Sequence, residues 1–121
     1  MSQNEAKRPV LNCLMKRDLA GITFVRDYIQ FLFDGPVFSA YTPPTVTTTE
    51  GVVGHKTPGY RDALCGLIGK SVTATLEEPN VRIRIEFVDG TGIEVSLKDE
   101  ERVCAEAAML QTGSATDWNV W

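Results

Sequence analysis

The sequence predicts a small α+β domain, mostly antiparallel β-sheet or a partly closed barrel, assembled from two repeated helix-plus-hairpin halves related by approximate two-fold symmetry. Three observations predict it. Residues 81–97 read VRIRIEFVDGTGIEVSL, two alternating runs joined by an Asp-Gly turn. The same order of features occurs upstream. A length of 121 residues, 43% hydrophobic and 23% charged, fits one domain (1–121) with a core of its own. The halves fall at about 9–44 and 58–98, and residues 99–121 add a C-terminal helix and a last strand.

The first half opens with PVLNCLMKR, residues 9–17, which predicts a short helix. Leu19-Ala20-Gly21 then leads into strand, Arg26-Asp27 can turn between strands, and residues 28–33 form a strand that ends at Asp34-Gly35. Pro36 follows Gly35 directly and pushes it toward extended backbone, so this turn is expected to differ from its counterpart at Asp89-Gly90. The hairpin is apolar on both faces, with Phe31, Phe33 and Val37 placed on one side and Tyr28, Leu32 and Phe38 on the other. A sheet covered twice is the expectation. Residues 42–57, with Pro43, Pro44 and a run of threonines and valines, predict either an edge strand or a flexible linker.

The second half repeats the order. Residues 57–66 predict a short helix capped by Thr57, with Pro58 in its first turn and Gly66 at its end. Leu67-Ile68-Gly69, the match of Leu19-Ala20-Gly21, opens a strand over residues 67–76, and Glu77-Glu78-Pro79-Asn80 makes the turn. In the hairpin that follows, Val81, Ile83, Ile85 and Phe87 share one face. A two-residue Asp89-Gly90 loop would set Ile85 against Glu94. A three-residue Val88-Asp89-Gly90 loop, with Gly90 left-handed in a bulge, sets Ile85 against Ile93, Ile83 against Val95 and Arg84 against Glu94, so the second register is predicted. Beyond it, acids at Asp99, Glu100 and Glu101 and apolar Val103, Ala107 and Leu110 predict a helix closed by Gly113. Asp117-Trp118-Asn119-Val120-Trp121 predicts the last strand.

Chemistry-bearing signatures are sparse. A formal charge of −4 and a pI near 4.9 argue against a nucleic-acid partner, which needs clustered Lys and Arg. The longest apolar runs fall far short of a membrane span, and the first ten residues hold no apolar signal core, so a cytoplasmic protein is expected. Cys13, Cys65 and Cys104 are isolated and are read as buried thiols. Gly69-Lys70-Ser71 lacks the spacing of a phosphate loop. No catalytic, metal or cofactor site is expected. The candidate binding residues are Tyr28, Tyr41, His55, Tyr60, Arg61 and Trp118, the first five as the lining of a pocket between the halves and Trp118 as an anchor for a partner.

The runs FVRDYIQFLFDGP over 24–36, YRDALCGLIG over 60–69 and FVDG over 87–90, with a closing tryptophan, resemble a group of small bacterial proteins of unknown function over most of the chain. The L-x-G and F-x-D-G half is also similar to modules among bacterial toxin-immunity proteins. The resemblance implies a bacterial, cytoplasmic, stand-alone domain and transfers no active site. The expected function is a non-enzymatic protein-binding module, immunity-like or accessory, whose partner is another protein or a second copy of itself. The alternative is a small-ligand binder or an unrecognised enzyme with its pocket between the halves.

Overall fold

The computed structural model describes residues 10–112 and 118–121. Among these residues it is mostly antiparallel sheet with little helix: ten strands in two five-stranded sheets, one six-residue α-helix and two short 3-10 segments. The first sheet runs β1 (Gly21–Val25), β2 (Tyr28–Leu32), β3 (Val37–Ala40), β9 (Ala108–Gln111), β10 (Trp118–Val120). The second runs β5 (Gly51–Val53), β4 (Thr45–Thr48), β8 (Gly92–Ser96), β7 (Arg82–Phe87), β6 (Val72–Glu78). Each sheet is thus a three-stranded meander extended by a hairpin from the other part of the chain. β4 of the hairpin β4-β5 pairs with β8, and β9 of the hairpin β9-β10 pairs with β3.

One core joins the two sheets. Phe31, Phe38 and Leu110 point inward from the first, and Val46, Ile83, Ile85, Ile93 and Val95 from the second, all essentially inaccessible. Each such side chain contributes about 1.5–3 kcal/mol through removal of apolar surface from water. The 3-10 turn Val10–Leu14 adds Leu11 and Leu14, and the helix α1 (Tyr60–Cys65) adds Tyr60 and Leu64.

The hairpin β7-β8 has the predicted bulged loop. Ile85 faces Ile93, Ile83 faces Val95 and Arg84 faces Glu94. Phe87 donates its N–H to the Thr91 carbonyl around Val88-Asp89-Gly90, and Gly90 takes φ 87°, a left-handed backbone that suits glycine. Asp89 locks this loop: it accepts bonds from the Thr91 N–H (3.1 Å) and hydroxyl (2.6 Å), and Lys70 Nζ lies 2.6 Å away. The Lys70 ammonium, then Thr91, holds the Asp89 carboxyl well below the usual carboxylate range. The β2-β3 turn differs, as Pro36 requires. Phe33 donates to the Pro36 carbonyl around a two-residue Asp34-Gly35 loop, both residues at positive φ.

Several expectations are corrected. The C-terminal helix over 99–110 is absent; a 3-10 turn (Asp99–Glu101) ends at an extended Arg102, and Ala108–Gln111 is β9. Alternation decides it: Ala108 and Leu110 enter the core, with Leu110 opposite Phe38, and β3 gains a ladder partner that a helix could not supply. The first helix is only the 3-10 turn Val10–Leu14. α1 starts after Gly59, which carries φ 88° and no side-chain cap, so Thr57 and Pro58 lie outside it. Residues 42–57 hold the hairpin β4-β5 and not a flexible linker: β5 is an edge strand as expected, while β4 is interior to its sheet, with both prolines ahead of it where no ladder donor is missing. Phe38 lies opposite Phe31 and shares its buried face, and Val37 lies opposite Leu32 on the other, so the expected sides of Val37 and Phe38 are exchanged. Val81 falls in the turn after Pro79 and Asn80 and is exposed. Cys65 and Cys104 are exposed and only Cys13 is partly buried. Gly113 and Asp117 lie outside the described residues.

Candidate functional site

Antiparallel register sorts each sheet into an inner and an outer face, because directly opposed residues point the same way. On the first sheet the outer face carries Gly21, Thr23 and Val25 of β1, Tyr28, Gln30 and Leu32 of β2, Val37 and Ser39 of β3, Met109 and Gln111 of β9, and Trp118 and Val120 of β10. None of these is charged. Gln30 donates to the Ser39 hydroxyl at 3.5 Å, with Gln30 half-buried and Ser39 buried, and Trp118 is 57% exposed. On the second sheet the outer face carries Glu78, Arg82, Arg84, Glu86 and Glu94 on β6, β7 and β8, beside uncharged Ala74, Leu76 and Ser96, and Thr45, Thr47 and Val52 on β4 and β5; the charges are cross-linked by Arg82 to Glu78, Arg82 to Glu94 (3.6 Å), Arg84 to Glu86 (3.4 Å) and Arg84 to Glu94 (3.7 Å).

A cavity of about 280 Å³ opens where the first sheet's outer face meets α1. Tyr28, Tyr41, His55, Tyr60 and Arg61 all line it, together with Phe24, the Arg26-Asp27 turn and Pro43. The Tyr28 and Tyr41 rings lie 5.3 Å apart, one step beyond the Ile29-Ala40 pair, so they continue the outer face into the cavity wall. Arg61 on α1 stacks its guanidinium 5.4 Å from the centre of the Phe24 ring, a cation-π contact across the mouth. The His55 and Tyr60 rings meet edge to face at 6.5 Å.

Tyr60 is the anchor of this wall. Its hydroxyl donates to the Pro44 carbonyl at 2.5 Å, and burial pushes its pKa up to about 12, so it stays a neutral donor that fixes the entry to β4. Burial also raises Tyr41, helped by the neighbouring Tyr28. Such phenols bond and stack; neither has the depressed pKa of a proton acceptor. A larger cleft of about 550 Å³ shares Pro43 and His55 with the first. Its charged lining is largely committed to partners, Arg82 to Glu78 and Glu94 and the Glu101 carboxylate to the Ser96 hydroxyl.

Five of the six candidate residues therefore converge on one cavity, and Trp118 lies apart from them, opposite Gln111 on the outer face. Sequence reasoning missed Phe24, Met109 and Val120. The alternation of β1 could have singled out Phe24, whereas the helical reading of residues 99–110 hid Met109. Among the described residues no group of three His, Cys, Asp or Glu side chains could hold a metal ion, and no helix is long and apolar enough to cross a membrane. Comparison with protein-family models, with curated proteins and with solved structures finds no match for this chain.

Proposed function

We propose that this chain is a non-enzymatic protein-binding module, a bacterial cytoplasmic accessory or immunity-like factor, and that its binding surface is the outer face of the first sheet. The supporting observation is the absence of charge across five strands in a chain that carries a net −4, when β6, β7 and β8 on the matching face of the second sheet carry a lattice of ion pairs. Five strands about 4.8 Å apart and some 15 Å long give a face of roughly 350 Å² in projection. That is below the roughly 800 Å² per partner of a standard interface, so the face alone suits a transient complex. The test is co-purification from cells of the source organism with wild type, Met109→Glu and, on the charged face, Thr47→Glu. A protein retained by wild type and Thr47→Glu but lost with Met109→Glu supports the reading; equal recovery by all three overturns it.

We further propose that the two sheets are copies of one unit about an approximate two-fold axis. Supporting this, each meander accepts the hairpin that follows the other, and the matching L-x-G segments lie side by side. The Gly69 N–H bonds the Leu19 carbonyl at 2.7 Å and the Leu19 N–H bonds the Lys70 carbonyl at 3.0 Å.

The convergence of Tyr28, Tyr41, His55, Tyr60 and Arg61 favours a second reading, a small planar ligand in the cavity, which lies just under the usual range of ligand pockets. A thermal-shift screen checks it. A compound that stabilises wild type but not Arg61→Ala supports a ligand, and a screen without any such compound removes it.

A further inference from the structure

Four strands end the two sheets, and they are not alike as templates for further pairing. β10 (Trp118–Val120) and β5 (Gly51–Val53) are three residues long. β6 (Val72–Glu78) is longer but is broken by a register shift between Val72 and Ala74 and ends in Glu77 and Glu78. Short length, bulges and charge are the devices by which edges resist pairing. β1 has none of them: Gly21-Ile22-Thr23-Phe24-Val25 is unbroken against β2, uncharged and free of proline, and no strand among the described residues covers its second side.

We propose that β1 pairs with β1 of a second copy of this chain, antiparallel and centred on Thr23, to make one continuous ten-stranded sheet. The sequence is self-complementary about that centre: Thr23 meets Thr23, Ile22 meets Phe24, Gly21 meets Val25, and no two like charges are opposed along the strand. Each copy supplies the backbone donors and acceptors that the other's edge leaves to water. The two-fold axis stands perpendicular to the sheet, so both uncharged outer faces turn to the same side. Their joint area is roughly 700 Å², close to one side of a standard interface, where the single face falls short. That area argument rests on the protein-binding reading; the edge pairing does not, because it uses backbone and not the face.

Thr23 is exposed, so charged substitutions there leave the core intact. Sedimentation equilibrium and circular dichroism should be run on wild type, Thr23→Glu, Thr23→Lys and their equimolar mixture. Wild type is expected to approach twice the 13.3 kDa chain mass with rising concentration. Each charged variant, still folded, should dimerise more weakly by roughly tenfold or more, and the mixture should regain wild-type association as a heterodimer. A wild type monomeric at every concentration, a dimer indifferent to both substitutions, or a mixture that does not recover would each overturn the pairing. Met109→Glu distinguishes the two proposals: it leaves this dimer intact while removing capture of a second protein.

Discussion

The outer faces of the two sheets have the same strand order and opposite chemistry. In the second sheet Arg82 and Arg84 sit among Glu78, Glu86 and Glu94, an arrangement that keeps a flat sheet hydrated and discourages contact. On the outer face of the first sheet stand Tyr28, Gln30, Leu32, Met109, Trp118 and Val120, none of them charged. Both inner faces bury large apolar side chains, so the fold is served equally by the two sheets and does not require the difference outside. A difference that packing does not demand is where function is to be sought, and it points to the first sheet.

The comparison can be broken at its common part. Phe38→Ala should cost about 3–5 kcal/mol, and because one core serves both sheets, chemical denaturation should remain a single transition. Two separated transitions would show that the sheets are independent. Gly92→Ala acts within the second sheet: a Cβ there would come 2.5 Å from the Ile85 carbonyl oxygen and 3.2 Å from the Glu86 Cα, both backbone. A loss of roughly 1–3 kcal/mol is expected in the same denaturation experiment.

A pH titration probes the Asp89-Gly90 loop. The folded Asp89 carboxyl has a lowered pKa, so its stabilising effect is complete above the unfolded value of about 3.9 and is lost as pH falls below it toward the folded value. Thermal melts of Asp89→Asn should therefore lose part of the steep acid dependence below about pH 4. At the β2-β3 turn Arg17 Nη1 donates instead to the Asp34 backbone carbonyl at 3.0 Å. The smallest effect belongs to the ion-pair lattice itself. Glu94→Gln removes two half-exposed contacts beyond 3.5 Å and should cost less than about 1 kcal/mol, less still at high salt.

Legibility in the sequence followed the physics of each segment. The β7-β8 register could be derived because a one-residue slip would have put Glu94 against Ile85, a large and local penalty. The pocket residues were legible as aromatic and cationic side chains in predicted loops, strand ends and a short helix, although their convergence depends on long-range folding. The segment 99–110 misled because Ala105, Ala107, Ala108 and Leu110 favour helix locally. The demand of β3 for a second neighbour, which overrode that preference, comes from residues some seventy positions away. The outer face of the first sheet was visible only as a hairpin apolar on both sides; that its far strands, β9 and β10, extend it could not be read without knowing they join it.

The central claim, that the uncharged face receives another protein, is tested most directly by photo-crosslinking in cells of the source organism. A photoreactive residue is placed at Gln30, at the middle of the uncharged face, and in a second variant at Glu86 on the charged face. The account predicts a discrete adduct with another protein from position 30 and none from position 86. Adducts of equal yield from both positions, or none from position 30, would contradict it.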